Sequence, residues 1–203
     1  MITKYIYKFF GLFGNNYWNT RYMLGGTSGY TDYDSDKYSN YMWSTIEKIS
    51  GKQNDIIDVG CGDLILWKNR YCNKYLGIDI SSIIINRNKK LRPNWSFITS
   101  SADAPLDIHA ETVICMNTLY HIMDDNVYNK IIDNFISWSD KWLMIITWRK
   151  IPKVIGETDD FYQKYRDFSI YKERIINSGF TLVLEEPIPF DDYGCLWIFK
   201  RCE

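Results

Sequence analysis

The run Asp55-Ile56-Ile57-Asp58-Val59-Gly60-Cys61-Gly62-Asp63 sets an acid, Asp58, two residues ahead of Gly60 and a second glycine, Gly62, two residues after it. An apolar stretch that breaks into glycines is how a buried parallel strand turns into a tight loop, because a residue without a Cβ permits close approach. Nineteen residues beyond Gly60, the run Tyr75-Leu76-Gly77-Ile78 ends in Asp79. An acid at the tip of the second strand of a βαβ unit is placed to accept hydrogen bonds from the two hydroxyls of a ribose. Loop and acid together point to a cofactor that contains adenosine. What the loop lacks narrows the choice. A dinucleotide fingerprint needs a third glycine where this chain has Ile65, and a P-loop needs a Gly-Lys-Ser/Thr that the sequence does not contain.

A second group of chemically able residues follows the apolar run Thr112–Met116, in Asn117-Thr118-Leu119-Tyr120-His121. Asn117 offers a carbonyl and an amide, and Tyr120 either a hydroxyl or simple packing. His121 is one of two histidines. Behind a strand such a residue is either a structural hydrogen-bonder or, if it faces a pocket, a general base toward a hydroxyl, since imidazole titrates near neutrality. Ahead of the first strand, Trp18-Asn19-Thr20-Arg21-Tyr22 leads into Gly25-Gly26-Thr27-Ser28-Gly29. This stretch reads as a loop with several hinge points. It is either a structural loop whose Trp18 and Tyr22 cap the core, or a lid in which Arg21 meets a carboxylate. Arg166, in the polar stretch 149–169, reads equally as a ligand contact or as half of a surface ion pair.

The elements that must position these residues alternate α and β. Strands are expected at Asp55–Val59, Tyr75–Asp79, Trp95–Thr99, Thr112–Met116, Lys141–Trp148, Phe180–Glu186 and Cys195–Lys200. The continuous apolar run of the fifth marks it as central and buried on both faces. Helices are expected at Met42–Ile49, Leu64–Arg70, Ile83–Leu91 with Ser81-Ser82 as its cap, Asn126–Trp138, and Ile170–Ser178 closed by Gly179. Residues 1–14 read as a short amphipathic helix. It either packs on the protein's own surface or, through Phe9, Phe10, Leu12 and Phe13, contacts a partner or a membrane surface.

The acid-x-Gly-x-Gly pattern around Asp58 resembles motif I of the class I S-adenosylmethionine (SAM) methyltransferases, whose cofactor has no pyrophosphate and needs no third glycine. The segment W-x-x-R-Y followed by G-G-x-S-G, and the unit Y-H-I-x-D-D with its helix and buried strand, resemble a group of small bacterial-type members. The resemblance covers nearly the whole chain as one domain, with 1–50 an N-terminal helix and lid segment and 149–169 an acceptor-side insertion. It implies a Rossmann-like α/β fold, with a mostly parallel seven-stranded sheet in the order 3-2-1-4-5-7-6 between helical layers. It implies SAM on Gly60, Cys61 and Gly62, with its ribose on Asp79 beside Ile80 and its adenine between Asp103 and the backbone of Ala102. The amino-acid end falls to Asp58, with Trp18, Arg21 and Tyr22 closing over it. Asn117 touches both cofactor and reacting centre, while Tyr120, His121 and Arg166 face the acceptor. Two departures stand out. Leu64 occupies the place of a frequent glycine, and Asn117 that of a frequent acid.

Composition bounds the acceptor. With 203 residues, 46% hydrophobic and 24% charged, and a net charge of −1, the chain carries no basic block for nucleic acid. The expected reaction is methyl transfer to a small polar metabolite or sugar, through oxygen. The alternatives are a nucleotide or nucleic-acid-end methyltransferase and a SAM-fold partner subunit without turnover. Five cysteines without CxxC spacing argue for reduced thiols in the cytoplasm and against a metal site. No apolar run reaches the ~20 residues that span a bilayer.

Overall fold

The computed structural model describes residues 15–29, 32–149 and 163–203. The expected helix at 1–14 lies outside them, as does most of the 149–169 insertion. Helices α1 (Asn15–Met23) and α2 (Asp32–Ser50) precede an alternating series: β1 (Asp55–Val59), β2 (Lys74–Asp79), α3 (Ser82–Leu91), β3 (Ser96–Thr99), β4 (Ala110–Met116), α4 (Asp125–Trp138), β5 (Ser139–Trp148), α5 (Ser169–Asn177), β6 (Phe180–Pro187) and β7 (Gly194–Arg201). The strands form one seven-stranded sheet ordered β3-β2-β1-β4-β5-β7-β6. Only β7 runs antiparallel to its neighbours, β5 and β6. This is the order that the resemblance implies.

Period-two alternation divides each central strand between two cores. Ile56, Ile114, Met144 and Ile198 face one side, where α2 supplies Met42, Trp43 and Ile46. Ile57, Val113, Ile145 and Trp197 face the other, against the Tyr128, Ile131, Ile132, Phe135 and Trp138 stripe of α4. Burying each of these large side chains stabilises the fold by roughly 1.5–3 kcal/mol. Because both faces are covered, polar side chains pointing off β1 or β2 must find partners inside the sandwich.

The helix ends follow their local chemistry. Ser81 caps α3 by accepting from the Ile84 amide, and Asp124 caps α4 by accepting from the amides of Asn126 and Val127. Gly179, at φ +92, ends α5. Three expectations need correction. W-x-x-R-Y is the helix α1 and not a loop. The helix before β1 begins at Asp32, ten residues earlier than Met42. The expected helix Leu64–Arg70 is a single 3₁₀ turn, Ile65–Trp67, because Leu64 sits at φ +60 in the left-handed region and breaks the chain direction. Among the described residues, no helix is long and apolar enough to cross a membrane.

Candidate functional site

At the carboxyl end of β1 the chain folds back over β2. The amides of Gly60 and Cys61 both donate to the Ile78 carbonyl, at 2.8 and 3.1 Å. Gly60 has φ +74, and a Cβ there would fall on Thr118 Oγ1; Gly62 has φ +51, and a Cβ there would fall on Ser28 Oγ. Neither position can carry a side chain. The glycine loop is thus held between the loop after β4 and the segment after α1, and these three pieces enclose a cavity.

Three carboxylates line that cavity, Asp58, Asp63 and Asp79, and the first and last of them are buried. Asp79 accepts from the Gly62 amide on Oδ2 at 3.0 Å and from the Ser81 amide on Oδ1 at 2.8 Å. Burial pushes its pKa up to about 6 against the pull of those amides. Asp58 shares a face with Ile56, and its Oδ2 accepts from the Tyr75 hydroxyl at 2.7 Å and from Trp67 Nε1 at 2.8 Å. Burial pushes it, too, up to about 6, offset by those two hydrogen bonds and reinforced by the charge of Asp79. Tyr75 and Trp67 therefore fix the Asp58 side chain, leaving Oδ1 outside both bonds.

The remaining walls are apolar or small. Met42, Ile114 and Met116 contribute from one face of the sheet and Ile78 from the other, and Ser100, Ser101 and Ala102 also line it. Asn134 of α4 donates to the carbonyls of Ala102 and Ala104, at 2.8 and 2.9 Å, and so anchors this loop. Asp103 stands next to the wall and not in it, with its Oδ1 accepting from the Ser101 hydroxyl. Ile80 and Cys61 line the cavity.

Above it lies the segment after α1. Tyr22 is 2% exposed and shares a hydrogen bond with Ser28 Oγ at 3.0 Å, while its carbonyl accepts from Arg87 at 3.1 Å. The Trp18 ring stacks on Tyr22 with centroids 5.9 Å apart. Asn19 Oδ1 accepts from the Ser81 hydroxyl at 2.7 Å, tying α1 to the start of α3. Ser28 is bound to Asp63 through its amide, at 2.9 Å, and its hydroxyl, at 2.8 Å. Asn19, Ser28 and Asp63 lie inside stretches singled out from the sequence, yet their roles depend on pairings between distant segments. Arg21 points elsewhere: it donates to the Thr27 carbonyl and to the Tyr17 hydroxyl, and it lines a second cavity.

The two cavities share Trp18, Ser28, Asn117 and His121. Asn117 adopts φ +58, which asparagine tolerates better than most residues. Its amide donates to the Ile146 carbonyl at 2.9 Å and its Nδ2 to the Tyr38 hydroxyl at 2.7 Å. The His121 ring meets Trp18 edge to face at 4.9 Å. Tyr120 lines only the second cavity and stacks on Trp148 at 4.8 Å, with Tyr165 on the far face of the ladder at 3.8 Å from Trp148.

Arg166 is a correction. It lines neither cavity. Its side chain is 8% exposed, and it donates to the carbonyls of Ile122 and Met123 and to Asp125 Oδ1. All of this reaches the back of the loop that carries Tyr120 and His121, so Arg166 holds that loop in place.

Solved structures share this architecture. Magnesium protoporphyrin IX methyltransferase (ChlM) from Synechocystis PCC 6803, with bound SAH, is 17% identical, with 84% of this chain and 82% of that chain covered and a TM-score of 0.61. N-methyltransferase NodS from Bradyrhizobium japonicum WM9, in complex with S-adenosyl-L-homocysteine, is 14% identical over 83% of this chain and 87% of that chain, with a TM-score of 0.59. The methyltransferase domain of bacterial CtHen1 is 15% identical over 80% of this chain and 97% of that one, with a TM-score of 0.62. No protein-family model matches the sequence, and no curated protein matches it significantly. The likeness establishes the Rossmann-like fold of the class I methyltransferases.

Proposed function

We propose that this chain is a SAM-dependent methyltransferase that methylates a small polar acceptor through oxygen. The observation that carries the reading is the meeting of two cavities at Asn117 and His121, one with a glycine loop and two buried acids, the other open to a second molecule.

The residues of the first cavity fit SAM better than a dinucleotide. A pyrophosphate needs the amino end of an α-helix directly behind the glycines. Here Leu64 turns the chain, and only a 3₁₀ turn follows. Asp79 keeps acceptor capacity for the two ribose hydroxyls beyond the amide bonds it accepts, since a carboxylate offers about four lone-pair sites. Asp58 Oδ1 answers the ammonium of the amino-acid end. Ser101 and Ala102 border the adenine, with Asp103 reaching its amine from beside the wall. Trp18 and Tyr22 close the top, and Gly60, Cys61 and Gly62 form the floor.

When bound, the cofactor supplies a methyl on a positively charged sulfur. Trp18, Asn117 and His121 hold an acceptor oxygen in line with it, and alignment accounts for most of the acceleration in such a displacement. His121 would take the acceptor's proton as general base during such a transfer. Arg21 and Tyr120 border the acceptor from the second cavity.

The test is calorimetric titration of the purified protein with SAM, S-adenosylhomocysteine (SAH) and NADH, repeated on Asp79→Ala. Micromolar binding of the first two, lost in the variant, is expected. Preference for NADH, or no SAM binding by a folded protein, sinks the reading. Tight SAM binding without turnover on any acceptor, together with co-purification of a second protein, favours a partner subunit.

A further inference from the structure

The second cavity differs from the first in the chemistry of its walls. The first is framed by aliphatic side chains such as Val59, Ile78, Ile114 and Met116. Of the described residues lining the second, none is Leu, Ile, Val, Met or Ala. Its walls are aromatic side chains, from Trp18, Tyr38, Tyr120, Trp148, Phe190 and Tyr193, interleaved with Arg21, Lys37, Gln163 and Asp192.

These rings are braced. Trp148 is held between Tyr120 and Tyr165, with interplanar angles of 18° and 17°. Phe190 is met edge-on by Tyr38 at 5.7 Å and by Tyr41 at 5.7 Å, and carries Lys37 Nζ over its face at 4.6 Å. Phe190 and Tyr193 are each 37% exposed. Asp191, which also borders the cavity, spends Oδ1 on the amides of Tyr193 and Gly194, at 3.0 and 2.9 Å. It holds the turn that presents the two outer rings.

We infer that the acceptor is a polar ring, a molecule with a flat face to lie on Tyr193 or Phe190, the outer rings that the Trp148 stack backs, and hydroxyl or carbonyl groups along its edge for Lys37, Gln163 and Asp192. Among the described residues an aliphatic chain finds no side chains of its own kind here, and its burial leaves the polar groups between the rings without partners. Ring faces also attract a flat partner beyond simple area burial. Two sources share this chemistry, a phenolic arene and a sugar whose axial C–H groups lie on the rings. The inference rests on the methyltransferase reading of the first cavity.

The experiment uses the full chain saturated with SAH and four probes: 4-hydroxybenzoate, methyl β-glucoside, 1-hexanol and spermidine. Dissociation constants come from ligand-observed NMR, with Phe190→Leu and Tyr193→Leu alongside. Leucine keeps apolar bulk and removes the ring face. At least one ring probe is expected to bind more tightly than either aliphatic probe, and to weaken about tenfold in each variant while SAH affinity holds. Whichever ring probe binds identifies the source. Tighter binding of hexanol or spermidine, no binding of either ring probe, or ring binding indifferent to both leucine variants overturns the inference. Failure of SAH itself to bind the parent protein is a separate result, and it strikes the reading of the first cavity instead. Tyr193 lies in a surface turn, so its variant stays informative should Phe190→Leu fail to fold.

Discussion

Ser28 and Asp63, 35 residues apart in sequence, hold each other by three hydrogen bonds: the Ser28 amide and hydroxyl donate to the two carboxylate oxygens, and the Asp63 amide donates back to Ser28 Oγ at 3.1 Å. They join the segment after α1 to the glycine loop, and both line the first cavity. Asp63→Ala is expected to weaken SAM binding about tenfold, because the bound form must then order a freed segment. Exchange of the Ser28 amide should quicken in the same variant, measured by hydrogen–deuterium exchange. Unchanged SAM affinity with fast exchange would mean that the segment takes no part in binding.

The paired acids give a pH dependence of definite sign. Asp58 and Asp79 both stand near 6 in the folded protein, raised by burial from the ordinary 3.8. The folded state therefore holds more protons than the unfolded one between these values. The stability that these two groups contribute is complete below about 3.8 and is lost as pH rises through about 6. Binding runs the other way, since ribose hydroxyls and an ammonium both prefer the ionised acids. SAM affinity is expected to climb with pH through about 6, with roughly a tenfold loss at pH 5 for each acid. Titrations in buffers of different ionisation enthalpy should show proton release near pH 6, reduced in Asp79→Asn. A flat pH profile would contradict the assignment of both acids.

How much of this the sequence announces depends on the range of the interaction. The strands are legible because alternate burial on two faces leaves runs such as Trp142–Ile146 apolar throughout. Asp58, Asp79 and the glycines are legible because they end those runs. Helix α1 is not, since Asn19 and Arg21 face neighbouring segments through hydrogen bonds and leave no apolar stripe to read. Arg166 and Asp103 are hidden for the same reason: their partners, the Ile122 carbonyl and the Ser101 hydroxyl, are chosen by how loops pack. A left-handed leucine also leaves no local signal.

Leu64 sets two effects against each other. Its φ of +60 costs about 1–2 kcal/mol for a side chain with a Cβ. Its side chain is 3% exposed in the core beside α2, and removing a buried leucine costs about 2–5 kcal/mol. Burial wins. Leu64→Gly is expected to lower stability by about 1–3 kcal/mol in urea denaturation, even though it relieves the backbone and returns the residue common at this place in the resembling family. A more stable variant would show that strain, and not packing, dominates here.

Gly60 admits no such compensation. A Cβ there lands on the Oγ1, Cγ2 and Cβ atoms of Thr118, and φ is +74. Gly60→Ala is expected to abolish measurable SAM binding while the sheet persists by circular dichroism. Thr118→Ala in the same chain should restore only part of the affinity, because it clears the outer two atoms and leaves the Cβ contact at 2.8 Å and the strained backbone. Full restoration would show that the clash alone matters.

His121 and Arg166 separate chemistry from positioning. His121 borders both cavities, whereas Arg166 lines neither and reaches the back of its loop and the start of α4 through Ile122, Met123, Asp125 and the Tyr128 ring. With an acceptor from the ring panel, His121→Ala is expected to lower kcat by about 10²–10⁴-fold with little change in SAM affinity. The loss should shrink as pH rises and the acceptor hydroxyl ionises without help. Arg166→Gln leaves the carbonyls of Ile122 and Met123 without their guanidinium, and the loop relaxes. Its effect should fall on kcat and acceptor KM together, without a change in the shape of the pH profile. Were Arg166→Gln to reshape the profile as His121→Ala does, Arg166 would belong with the reacting groups and not behind them.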